Sequence, residues 1–105
     1  MGRIPDNIRH VLNTYLRELK NNNIPVQRAI LFGSYARGGQ QEYSDIDIAL
    51  VSDIFTGDRI EDKDKIRKVT LSVSSELEVI PFSRKDFQKS NPFVNEIIKT
   101  GVILV

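Results

Sequence analysis

The chain has 105 residues, 15 Lys or Arg against 14 Asp or Glu, one histidine and no cysteine. That is one domain with a formal net charge of +1, which argues against a basic nucleic-acid footprint over the whole surface while leaving room for a local patch. Without cysteine there is no disulfide framework or thiolate metal site, and His10 alone cannot build a zinc centre, so any metal must be held by oxygen, as Mg²⁺ or Mn²⁺ is.

The first element expected is an amphipathic helix over residues 6–20, because Ile8, Val11, Leu12, Tyr15, Leu16 and Leu19 recur at helical spacing. Pro5 suits its first turn, and Asn21-Asn22-Asn23 with Pro25 ends it. Residues 27–33 form a strand buried on both faces, carrying Ala29-Ile30-Leu31-Phe32 and ending abruptly in Gly33-Ser34. Residues 34–44 are a turn with room for one helical turn, and residues 45–52 are a second strand. A turn that short makes the first two strands antiparallel neighbours.

A loop over 53–60 leads to a charged helix at about 61–75, with Ile66, Val69 and Val73 on one face. Its Glu61–Lys68 cluster reads as a solvent face with i,i+4 pairs. Leu77-Glu78-Val79-Ile80-Pro81-Phe82 is a third strand, and Ser83-Arg84-Lys85-Asp86 resembles a capping box that starts a short helical turn. Asn91-Pro92 opens a last helix with Phe93, Val94, Ile97 and Ile98 on its apolar side, closed by Gly101. Val102-Ile103-Leu104-Val105 is a final strand. The expected architecture is α/β (α+β), one domain over 1–105 built on a small mixed sheet. No stretch is long enough to span a membrane, and Met1–Asp6 lacks an apolar signal core, so a cytoplasmic location is expected.

The informative segment is Asp45-Ile46-Asp47-Ile48-Ala49-Leu50-Val51. Strand side chains alternate, so Asp45 and Asp47 share a face with Cα atoms roughly 6.5–7 Å apart. Asp is disfavoured in strands. Two like charges about 4 Å apart at an effective dielectric of about 20 cost about 4 kcal/mol. A multivalent cation between them would remove that cost; two solvated carboxylates at an exposed strand edge are the plainer reading.

The whole stretch runs Leu31-Phe32-Gly33-Ser34-Tyr35-Ala36-Arg37-Gly38-Gly39, then Gln40-Gln41-Glu42-Tyr43-Ser44-Asp45-Ile46-Asp47. It resembles the signature of the DNA polymerase β-like nucleotidyltransferase superfamily, and most closely its stand-alone minimal nucleotidyltransferases. The resemblance covers nearly the whole chain. It implies a palm-like core with helices packed on one face of the sheet. It implies catalytic, metal-holding roles for Asp45 and Asp47, with two Mg²⁺ ions (Mn²⁺ as an alternative) and ATP as substrate. Gly33 and Ser34 would bind the β- and γ-phosphates, and Arg37 would contact the triphosphate or remain a solvated loop residue. Gly38 and Gly39 read as turn formers, and Ser44 as a cap. The third family carboxylate, usually Asp, matches Glu78, with Glu76 as competitor. A Glu there lengthens the side chain by one methylene, and a misplacement of about 1 Å can cost about 100-fold in rate.

Stand-alone members of this kind are typically paired with a helical HEPN toxin, and the resemblance implies transfer of AMP to a tyrosine of that partner. The Glu78 departure keeps open a weak or inactive nucleotide-binding antitoxin that neutralises by binding. Transfer to a small molecule such as an aminoglycoside is a third reading, disfavoured because no residues remain for an acceptor domain. Homo- or hetero-oligomers are both compatible with the sequence. Tyr35 and Tyr43 flank the motif and could stack on a base or simply pack the loop. His10 reads as a solvated helix residue.

Overall fold

The computed structural model describes residues 4–37 and 45–105; Gly38, Gly39, Tyr43 and Ser44 lie outside the described residues. Its elements are α1 (Asp6–Asn21), β1 (Arg28–Phe32), α2 (Ser34–Arg37), β2 (Ile46–Val51), α3 (Arg59–Val73), β3 (Leu77–Phe82), α4 (Pro92–Thr100) and β4 (Val102–Ile103). The four strands form one mixed sheet in the order β3-β2-β1-β4. β1 is antiparallel to both neighbours, and β3 runs parallel to β2 through α3. This is the expected α/β class, and β2 is an interior strand rather than an exposed edge.

Alternation along the strands separates two cores. Ala29, Leu31, Ile46, Ile48, Leu50, Leu77 and Val79 face α1 and α3, joined by Leu12, Tyr15, Leu19 and Ile66. Ile30, Ala49, Val51 and Phe82 point the other way and meet Phe87, Val94 and Ile97. The helices are therefore not confined to one face as expected: α4 lies on the second, where Val94 and Ile97 join the apolar cluster that contains Ile30 of β1. Between α1 and α3, the Tyr15 hydroxyl lies 2.7 Å from Thr70 Oγ1. Thr70 itself donates to the Ile66 carbonyl, so Tyr15 is the donor.

Helix ends follow local chemistry. Asn91 Oδ1 accepts from the amides of Phe93 and Val94, with Pro92 at the first helical position, as expected. α3 begins earlier than its apolar spacing suggests because Asp58 caps it, accepting from Ile60 and Glu61. Ser83 Oγ accepts from the Asp86 amide as a capping residue would, yet the segment stays a turn rather than a helix. Gly101 ends α4 in extended backbone, φ −81° and ψ 168°, so the left-handed closure expected of a terminal glycine is absent. Close packing is the reason for glycine there: a Cβ would stand 2.5 Å from both Ile30 Cγ2 and the Ile97 carbonyl.

The charged face expected over Glu61–Lys68 needs a larger correction. Asp62 is wholly buried. Its Oδ1 accepts from the Thr56 amide at 2.8 Å and its Oδ2 from the Gly57 amide at 2.9 Å, with Lys65 Nζ 3.4 Å away. The carboxylate clasps the loop after β2 onto the first turn of α3. Burial pushes its pKa up, but the two amides and the Lys65 ammonium outweigh that, and the group titrates below its ordinary 3.8.

Because the folded state holds Asp62 at a lowered pKa, the unfolded chain binds more protons near that range, and stability rises with pH there. The contribution is complete above about 3.8 and is lost as pH falls below it. D62N places an amide donor against two backbone donors and should cost about 1–3 kcal/mol at pH 7. Urea unfolding of both proteins between pH 7 and pH 3 checks this: the gap should narrow towards the acid end.

Candidate functional site

β1 ends at Phe32 because the next residue turns the chain away from the sheet. Gly33 has φ +73°, a left-handed conformation that glycine adopts without strain. The single turn α2 starts immediately after it, at Ser34. Across the sheet Phe32 is the register partner of Asp47, and Asp47 that of Glu78. Side chains in one register row project from one face, here the face that carries α4.

The bend and the carboxylate are in contact. A Cβ built on Gly33 would collide with Asp47 Oδ2 and stand 3.2 Å from Asp47 Cγ. Glycine is thus required twice, for its backbone angle and for the space that the Asp47 carboxylate fills. Asp47 is half-buried, and Asp45, just before β2, is exposed. The structure therefore sets Gly33 against Asp47, with Ser34 next to Gly33 in the chain and Asp45 just before β2. α2 ends at Arg37, whose side chain lies outside the described residues.

Glu78 has the expected place in the row but a different immediate partner. β3 is the edge strand, and Glu78 Oε1 lies 3.7 Å from Lys63 Nζ of α3 with the Glu78 side chain 55% exposed. Among the described residues no three His, Cys, Asp or Glu side chains gather as a metal cluster. Lys63 was not anticipated: nothing in its local sequence marks it, because the contact depends on how α3 packs against β3. Glu76 is exposed, with its carbonyl accepting from the Ile46 amide, so it helps seat β3 beside β2. His10 is exposed on α1, as expected. Tyr35 is only 4% exposed and belongs to the α1/α3 core, which removes it as a base-stacking ring.

The donor chemistry suits a hard divalent cation. Asp45, Asp47 and Glu78 offer only oxygen, the donor that such a cation takes. The Glu78–Lys63 pair is exposed and long, and pairs of that kind contribute about 0–1 kcal/mol, so redirecting Glu78 towards its register partner costs little.

G33A should destabilise the fold by at least about 1 kcal/mol from the left-handed angle alone. It should also displace Asp47. Chemical denaturation measures the first effect, and the ¹H–¹³C carboxyl NMR signal of Asp47 reads the second. Unchanged values for both would mean that the bend and the carboxylate are not coupled.

The family model for the nucleotidyltransferase domain matches residues 12–105. A protein of Methanocaldococcus jannaschii named as a candidate protein adenylyltransferase, MJ0141, is 36% identical over 80 residues, covering 73% of this chain and 77% of that protein. A second candidate protein adenylyltransferase from that organism, MJ1215, is 51% identical over 41 residues, 39% of this chain; the match spans 46% of that protein, less than half its length. Among solved structures, a chain from the crystal structure of a toxin–antitoxin with AMP-PNP superposes with a TM-score of 0.63 at 27% identity, covering 89% of this chain and 71% of that one. With the family model matching most of its length, and with Gly33 seated against Asp47, this chain belongs to the nucleotidyltransferase family.

Proposed function

We propose that this protein transfers AMP from ATP to a tyrosine of a partner HEPN toxin, in a reaction that depends on Mg²⁺. The observation that supports the reading is the contact between the Gly33 bend and the Asp47 carboxylate, since this chemistry needs a phosphate-binding turn beside a metal ligand. The names of its relatives, protein adenylyltransferases, and the toxin–antitoxin bound to AMP-PNP support the substrate and the partner.

Asp45, Asp47 and Glu78 would hold the metal. When bound, Mg²⁺ ions neutralise triphosphate charge and stabilise the attacking and leaving oxygens of an in-line displacement. The protein groups do the rest. Gly33 lets the backbone approach phosphate closely, and Ser34 offers its hydroxyl and amide to the β- and γ-phosphate oxygens. Arg37 lies in the same turn and would meet the departing pyrophosphate. Glu78 would accept the proton of the attacking tyrosine hydroxyl. A cytoplasmic location fits this chemistry, since ATP and an intracellular partner are both required; no described helix is long and apolar enough to cross a membrane.

One observation favours a second reading. Glu78 is paired with Lys63 and stands where the family usually has the shorter Asp. A protein with an incomplete triad would bind nucleotide and neutralise its partner by contact alone.

Incubation of the purified protein with Mg²⁺, α-labelled ATP and the co-encoded partner separates the two. Transfer predicts label on a partner tyrosine, its loss with EDTA, and a fall of at least about 100-fold in D45A and in D47A. E78A should fall with them. An unlabelled partner that the D45A/D47A double variant still neutralises would establish the binding reading and sink the transfer reading.

A further inference from the structure

Nothing so far provides a surface for the nucleoside. Tyr35 is buried on the opposite side of the sheet, and Tyr43 lies outside the described residues. Among the described residues one aromatic ring is largely exposed: Phe93, at 44%. It stands on α4, on the sheet face that carries Asp47. Its centroid lies 5.9 Å from the Phe32 ring at an interplanar angle of 84°, and 6.4 Å from the Phe82 ring. Phe32 is the register partner of Asp47, and directly opposed antiparallel residues have Cα atoms about 4.5–5.5 Å apart. Phe93 therefore packs on the ring of the residue that opposes Asp47.

Phe93 is also held in place. Asn91 fixes its amide at 2.9 Å, Pro92 restricts the preceding backbone, and Val94 and Ile97 anchor the helix in the core. Its ring meets Phe32 edge to face, and the residue still keeps 44% of its surface in water. A rigid, partly exposed aromatic beside a phosphate-binding bend has the properties of a stacking surface, which every nucleobase can use through its π-face.

We propose that Phe93, buttressed by Phe32, is the platform on which the base of the bound nucleotide stacks. The inference rests on the nucleotidyl-transfer reading and extends it from the phosphates to the base. Stacking makes no hydrogen bonds to base edges, so this platform alone would favour purines over pyrimidines only through their larger stacking area.

Calorimetry with Mg-ATP and with Mg-tripolyphosphate tests it, since the second ligand has the phosphates and no base. F93L keeps apolar bulk and removes the ring. It should weaken Mg-ATP binding roughly 5- to 150-fold, the range that loss of one base–aromatic stack gives, and leave tripolyphosphate binding unchanged. The chain has no tryptophan, so F93W carries a single indole whose fluorescence ATP should quench and tripolyphosphate should not. Wild-type affinity for ATP in F93L, or an indole unmoved at ATP saturation, would overturn the platform while leaving the phosphate site intact. A wild-type protein that binds neither ligand would remove the nucleotidyl-transfer reading, and the platform with it.

Discussion

The register between β1 and β2 is the constraint on which the rest of the molecule depends. Phe32 opposes Asp47, and the residue after Phe32 must turn out of the sheet and leave room for a carboxylate. Strand side chains alternate, so a slip of one residue would send Asp47 into the α1/α3 core and bring Ile46 or Ile48 to the surface. The burial of Ile46, Ile48 and Leu50 against Leu12, Leu19 and Ile66 forbids that slip. Packing on one face of the sheet thus fixes chemistry on the other.

Aspartate serves several ends here, and its surroundings decide which. Asp58 caps α3, Asp62 clasps the loop after β2, and Asp53 pairs with Arg84 at 3.1 Å. These three are engaged near the C-terminal end of β2, where they close the connections to α3 and to the turn after β3. Asp45 and Asp47 stand at the other end of the strand, beside the bend. Structural carboxylates are matched with amides or cations that belong to the fold. Asp47 instead packs against the Gly33 bend, with Asp45 two residues before it and just outside β2.

Much of this was legible in the sequence because it rests on local periodicity or on local hydrogen bonding. The apolar spacing of α1, the alternation of β2, the Asn91-Pro92 start of α4 and the antiparallel pairing forced by a short turn all emerge as read. The candidate site residues Gly33, Ser34, Asp45 and Asp47 lie within one stretch of chain. What escaped depends on contacts between distant segments. Asp62 looks like any other charge on a polar helix until the Thr56–Gly57 amides fold over it. Gly101 looks like an ordinary helix stop, and only the approach of Ile30 explains it. Phe93 reads as part of an apolar helix face, yet α4 meets the sheet with Val94 and Ile97 and leaves that ring exposed.

Glu78 concentrates the remaining tension between transfer and simple binding. Its backbone is held in the same row as Asp47 by parallel pairing from Ile46↔Leu77 to Val51↔Phe82, so its Cα has no freedom to leave the site. Its side chain does have that freedom, because β3 is an edge strand and the carboxylate is mostly in water. A long, exposed ion pair with Lys63 contributes at most about 1 kcal/mol, so it does little to hold the side chain there. Under the transfer reading the Glu78 carboxylate must leave Lys63 and swing back across the row; under the binding reading it stays with Lys63. The two readings therefore differ in a surface rotamer, on a backbone that suits either.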